Sequence, residues 1–230
     1  MKKTIMTTAL AVAFGAAPLA SHAVITVLSI NGGNADGFTA TTPSLNTATP
    51  AGDKDNLWGF SSTNNQALLG SGDGTGETTS LSGQVWVSRG DNPGGEDNPI
   101  LTTSISGLDT GTLYNVYGYY LSSNGPSDNW GMQIKLGTDA SFTTYTAADG
   151  EVLDSSNGGA GTTFSFLRRV YLGQSTLGSS TVDVNFDDIG PGAGTRGFIK
   201  GVGIEAVPEP SSAALLGLGG LALILRRRRS

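Results

Sequence analysis

The 230-residue sequence predicts an all-β fold, an antiparallel β-sandwich, for the stretch between residues 24 and 206. Three observations carry that expectation. Apolar residues here alternate with period two and never settle into the 3.6-residue period of a helix. Candidate strands recur at roughly ten-residue spacing, separated by clusters of Gly, Asn, Asp and Ser. Glycine is abundant, at 35 residues, and no internal repeat organises it.

The first candidate strand is the β-branched run 24–30, closed by Asn31, Gly32, Gly33 and Asn34. Residues 39–54, rich in Thr, Ala and Pro without periodicity, read as a long loop that the apolar group Leu57, Trp58 and Phe60 ties to the core. After turn chemistry at 71–77, residues 81–88 form a strand with Val85 and Val87 on one face and Trp86 on the other. Strands 100–105 and 113–121 follow, joined by residues 106–112. Further strands are expected at 130–136, 141–146, 162–171 and 181–186. In the segment 162–171, Phe164, Phe166, Arg168 and Val170 share a face, which places Arg168 at a sheet edge. In the segment 181–186, Val182, Val184 and Phe186 point inward and Asp183 and Asn185 outward. Residues 197–207 supply the last strand. The expected topology is jelly-roll or galactose-binding-like.

The join at 106–112 carries a more specific signal. Leu108, Asp109, Thr110, Gly111, Thr112, Leu113 and Tyr114, followed by Val116, Gly118 and Tyr120, resemble the corner of a fibronectin-III or related sandwich. The resemblance covers about fifteen residues and implies architecture, with the Tyr114 hydroxyl bonded to backbone a few residues upstream.

Both ends of the chain are processing segments. Lys2 and Lys3 precede an apolar run over 5–20, and Ser21, His22 and Ala23 form a small-x-small site, so residues 1–23 read as a signal peptide cut after Ala23. At the other end Pro208, Glu209 and Pro210 interrupt regular structure. An apolar segment follows, expected as a single transmembrane helix over 211–225. Its thirteen uncharged residues 213–225 span only ~20 Å as a helix, against a hydrocarbon core of ~30 Å. Arg226, Arg227, Arg228 and Arg229 hold that end in the cytoplasm and fix the orientation.

This order of Pro-Glu-Pro, short apolar segment and arginine cluster over 207–230 resembles the PEP-CTERM sorting signal of Gram-negative bacteria. The resemblance implies export, retention in the inner membrane by the tail, and cleavage near Pro208, Glu209 and Pro210 by an exosortase-type membrane enzyme. It implies nothing about the cargo, residues 24–206.

Removing Lys2, Lys3 and the four terminal arginines from thirteen basic residues leaves seven, and removing Glu209 from nineteen acids leaves eighteen, so the cargo carries 7 − 18 = −11. Nucleic acid and anionic lipid are poor partners for such a surface. The chain has no cysteine, and its one histidine, His22, leaves with the signal peptide. Ser-His-Asp and Cys-His catalysis and zinc sites built on His or Cys are thereby excluded.

Carboxylates and aromatics are what remains to carry chemistry. Asp183, Asn185, Asp187 and Asp188, with Asp53, Asp55 and Asp73 in the loops, offer oxygens to calcium, without EF-hand or RTX spacing; such residues more often form a solvated strand face and turns. Trp58, Trp86 and Trp130, and the group Tyr117, Tyr119 and Tyr120, are candidates to stack on sugar rings, against the commoner place of aromatics in a core. Glu77, Glu96 and Glu151 are the acids available for glycosidic hydrolysis, but nothing pairs them. The expected protein is therefore not an enzyme. It is an exported cell-surface or extracellular-matrix protein, structural and associated with exopolysaccharide, with a carbohydrate-binding module as the alternative and a glycan-cleaving enzyme third.

Overall fold

The computed structural model describes residues 24–30, 34–35, 38–40, 44–45, 58–61, 81, 85–88, 100–123, 131–154, 164–189 and 197–208. The signal peptide, the apolar segment 211–225, the arginine cluster, Trp130, Glu77, Glu96, Asp53, Asp55 and Asp73 lie outside these residues.

Fourteen strands occur among the described residues: β1 (Thr26–Ser29), β2 (Asn34–Ala35), β3 (Phe38–Ala40), β4 (Ser44–Leu45), β5 (Trp58–Ser61), β6 (Val85–Ser88), β7 (Leu101–Ser106), β8 (Tyr114–Ser123), β9 (Met132–Leu136), β10 (Thr143–Tyr145), β11 (Glu151–Asp154), β12 (Phe164–Gln174), β13 (Thr181–Asp187) and β14 (Phe198–Ala206). They build two sheets in which every pairing is antiparallel. The first sheet runs β11-β12-β8-β14-β6-β5, with β1 also on β14; the second runs β10-β9-β13-β7-β3-β2, with β4 also on β7. The described part is thus an all-strand, two-sheet antiparallel sandwich.

The principal core lies between the sheets. It takes Tyr114, Val116, Tyr120, Val170, Val202 and Ile204 from the first sheet and Leu101, Ile105, Ile134, Val184 and Phe186 from the second. In β13 the outcome follows from the pleat: Val182, Val184 and Phe186 are buried, while Asp183 is exposed.

The first sheet is buried on its other face too. Val27, Tyr119, Leu121, Leu167 and Phe198 form a second apolar cluster there with Leu81. Hence β14 is buried over seven consecutive residues instead of alternating. Its glycines make room for this. A Cβ on Gly203 would stand 2.9 Å from the Tyr119 ring, and one on Gly201 would stand 2.6 Å from a Leu81 methyl and 2.7 Å from the Leu28 carbonyl oxygen.

Several features differ from the sequence expectation. The expected loop at 39–54 contributes β3 and β4, which lie in succession along β7, Thr39 opposite Ser106 and Ser44 opposite Thr102. Residues 151–154 form β11, an edge strand of the first sheet, where no strand was expected. β12 continues past Tyr171 to Gln174 through a register shift between Tyr171 and Gly173. Arg168 is not at a sheet edge, because β12 is flanked by β8 and β11. It is 8% exposed, and its guanidinium donates from Nε to Ser122 Oγ (2.6 Å) and from Nη1 to the Asp149 carbonyl (3.0 Å).

β14 also holds a buried cation. Ile199 faces Tyr120 and Gly201 faces Tyr119, so Lys200 is the extra residue of a bulge. It is 1% exposed, and burial away from water brings its ammonium down from 10.5 to about 8. Between pH 8 and 10.5 the unfolded chain keeps a proton that folded Lys200 has released, so this group makes stability rise with pH across that window. Below pH 8 both states are charged and the full cost, ~3 kcal/mol at 1.36 kcal/mol per pH unit, is in force. Tyr117, raised to about 12, and Tyr120, raised further, act oppositely: above pH 10 the unfolded chain loses phenolic protons that the folded one retains. Urea midpoints measured from pH 7 to 11 should therefore rise and then fall. Lys200→Met should remove the rise and keep the fall; parallel profiles for the two proteins would contradict the buried amine.

Candidate functional site

Two places in the described structure bring functional groups together: the end of β14, where the tail begins, and a cleft between edge strands of the two sheets.

At the first, Ala206 still pairs with Tyr114, and the Val207 amide donates to the Leu113 carbonyl (2.8 Å). The ladder stops at Pro208, which is exposed and has no amide to continue it. The segment opposite is the corner expected from the sequence. The Asp109 amide donates to the Tyr114 hydroxyl (3.2 Å), five residues apart, and Tyr114 is buried. Tyr114 and Ser175 lock together twice: the Tyr114 amide donates to Ser175 Oγ (3.0 Å) and the Ser175 amide to the Tyr114 carbonyl (2.8 Å). Asp109 caps the turn by accepting from the Gly111 amide (2.9 Å) and the Thr112 hydroxyl (3.3 Å).

The chain enters beside the point where it leaves. β1 runs antiparallel to β14 with Thr26 opposite Ile204, so Val24, 84% exposed, lies at the same end of the first sheet as Val207. Of the processing residues, Ala23, Glu209 and Pro210 lie outside the described set.

The second place is an open cleft of about 450 Å³. Its walls are β10, the edge of the second sheet, and β11 with β12 at the edge of the first. Tyr117 and Tyr171 sit on one wall with ring centroids 5.7 Å apart and planes tilted by 58°. The Arg169 guanidinium lies 5.4 Å from the Tyr117 centroid and pairs with Glu151. Tyr117 donates its hydroxyl proton to Glu205 (2.7 Å), which also accepts from Asn115 (3.2 Å). Burial, and then the Glu205 carboxylate, push the Tyr117 phenol up to about 12, so it stays a donor at any physiological pH.

The wall at 146–150 is held from inside. The Tyr120 hydroxyl shares its proton between the carbonyls of Thr146 (2.7 Å) and Asp149 (3.0 Å), the latter also bound by Arg168. The Asp149 carboxylate accepts from the Thr146 amide (2.7 Å) and hydroxyl (2.8 Å), which lowers its pKa. Gly150 has φ +77°, and a Cβ there would stand 2.6 Å from the Arg169 carbonyl oxygen, so only glycine lets β11 start this close to β12.

The residues singled out in the sequence scatter. Trp58 is 5% exposed in the principal core, which leaves no ring face for a sugar. Trp86 lies in β6, opposite Ile199 and Phe60, with its side chain outside the described set. Tyr119 and Tyr120 are fully buried, and only Tyr117 of that group reaches the cleft. Asp183 and Asn185 alternate along one strand face, about 7 Å apart at ~3.4 Å per residue. Each accepts a cross-strand hydroxyl, from Ser104 (2.5 Å) and Thr102 (2.7 Å) respectively. Asp187 accepts from the amide of Asp188, whose own side chain is buried. Among the described residues no group of three or more acids converges as a cation site. Tyr145, Tyr171, Arg169 and Asp149 escaped the sequence reading; they meet only because two sheet edges approach, and no short-range spacing records that.

Replacing Tyr114 by Phe removes the acceptor of the Asp109 amide and should cost ~1 kcal/mol. Chemical denaturation of the two proteins measures it, and an unchanged midpoint would reduce the corner to an ordinary turn.

Comparison with known proteins gives distant similarities to solved structures and a match at the tail. The K1 cleaved adhesin domain of Lys-gingipain from Porphyromonas gingivalis W83 is similar at 14% identity, over 80% of this chain and 99% of that one, with a TM-score of 0.42. The K3 cleaved adhesin domain of the same protein is similar at 14% identity over 78% and 97%, with a TM-score of 0.40. A family GH115 4-O-methyl-α-glucuronidase with specificity for decorated arabinogalactans is similar at 12% identity over 55% and 15%, with a TM-score of 0.32. No curated protein matches the sequence. Residues 206–229 match the PEP-CTERM protein-sorting motif, which marks the tail of this chain as the sorting signal of an exosortase substrate.

Proposed function

We propose that the protein is a non-enzymatic component of the cell surface or extracellular matrix, released there by the sorting enzyme and associated with exopolysaccharide. The observation that carries this reading is the junction at β14. The ladder reaches Val207, and the matched sorting motif overlaps only its last two residues, so a cut in Pro208, Glu209 or Pro210 leaves every described strand pairing in place. The exposed entry at Val24 stands at the same end, so removal of the signal peptide leaves the described pairings in place too.

A folded domain that needs neither terminal segment suits delivery of a finished module. Binding of a glycan is the second reading, and the tyrosine-lined cleft favours it. For hydrolysis, a glycosidase needs two carboxyl groups placed across a scissile bond; Glu151, the described one of the three acids considered, is committed to Arg169.

Intact-mass measurement tests the central step. Protein from its native host should lack Arg226, Arg227, Arg228 and Arg229 and end between Val207 and Pro210, and deletion of the sorting enzyme should restore the full tail in the membrane fraction. A tail retained in the native host would overturn the sorting step and leave a plain membrane anchor.

A further inference from the structure

We infer that the cleft between β10 and the β11–β12 edge binds a neutral polysaccharide, with the Tyr171 ring as the stacking surface. The inference deepens the exopolysaccharide reading and rests on it.

The side chains match a ligand that presents both apolar ring faces and hydroxyl groups. Tyr171 is 53% exposed, one of the few large apolar side chains the described fold leaves in water, and it stands at the cleft. It is also held in place: β12 pairs it with Tyr117, whose tilted ring supports one side while Glu205 fixes the Tyr117 hydroxyl. A fixed, half-exposed ring offers area to the C–H face of a pyranose without the entropy cost of ordering a mobile side chain.

The polar groups around it supply the complement. Arg169 and Glu151, ion-paired with each other, present a donor and an acceptor at the cleft, and the exposed hydroxyls of Thr143 and Thr144 on β10 are both. Sugar hydroxyls are themselves donor and acceptor at once, so they satisfy such a mixed set where a purely anionic or cationic ligand would not.

Charge decides between neutral and acidic glycans. Asp149 and Glu151 outnumber Arg169 in the lining, Glu205 stands behind Tyr117, and the cargo carries −11 overall. A polyuronate or sulfated chain would meet like charge both at the cleft and at a distance. A neutral hexose polymer meets none.

The test uses the mature protein secreted by its native host, in affinity electrophoresis against laminarin, galactomannan and dextran as neutral probes and alginate as the anionic one. At least one neutral polymer should retard the protein and alginate should not. Tyr171→Ala should weaken retardation on the order of tenfold, whereas Tyr171→Phe, which keeps the ring, should retain it. Leu177→Ala, a change at an exposed turn residue outside the cleft, should behave as wild type. Unchanged thermal midpoints show that each variant is folded. Retardation that survives Tyr171→Ala would overturn this site while leaving glycan association intact, and retardation by alginate alone would overturn the charge argument. No retardation by any probe would overturn the inference. Co-fractionation of the wild-type protein with native exopolysaccharide reports on the broader reading separately.

Discussion

The structure depends on β14 finding its partners. That one strand lies against β8 from Ile199 to Ala206, and along its other edge it takes β6 at Phe198 and Ile199 and then β1 from Gly201 to Ile204. It joins residues near the start of the cargo to residues at its end, and its two faces enter both apolar clusters. Pairings of such sequence separation are slow to form, because the loop they close must be ordered before they contribute. β14 is also the last strand of the cargo. The first sheet therefore cannot close until this last strand is available, at which point the chain leading into Pro208 becomes part of the ladder.

This constraint explains the unusual composition of the strand. A strand covered on both faces needs apolar surface without bulk, and Gly201 and Gly203 let Leu81 and Tyr119 approach the backbone while Val202 and Ile204 fill the inner face. The bulge at Lys200 breaks the pleat between Ile199 and Val202, so both of these reach the principal core. The same economy of buried polar groups recurs at Arg168 and Tyr120, which spend their donors on the carbonyls of 146 and 149 and so fix the turn that becomes one wall of the cleft. Core packing and cleft geometry are linked through that turn.

What could be read from the sequence was local. β13 was legible because three apolar residues alternate with Asp and Asn over a half-buried strand, and the pleat alone then decides which face is which. The Tyr114 corner was legible because its hydrogen bonds close within five residues. β3 and β4 were not, since two- and three-residue strands carry no periodicity and exist only because β7 offers an edge. Arg168 was misplaced for a related reason: alternation gives its face but not whether a further strand, β11, lies beyond it. Trp58 was read both as an anchor to the core and as a surface for sugar, because both need the same apolar ring, and its burial in the principal core fits the anchor. The cleft was invisible, since Tyr145, Glu151 and Tyr171 come from three strands in two sheets and meet only in the tertiary fold. The sorting tail, by contrast, is a linear signal, legible from order and length alone.

The account rests on β14 remaining the closing strand in the mature protein, hydrogen-bonded through Val207. Hydrogen–deuterium exchange followed by mass spectrometry on the mature exported protein measures this directly. The account predicts that the peptide covering 198–207 belongs to the slowest-exchanging class, together with β8, and opens only with global unfolding. Exchange of that peptide as fast as the exposed turn around Leu177 would show that β14 frays from the sheet, and would contradict the account.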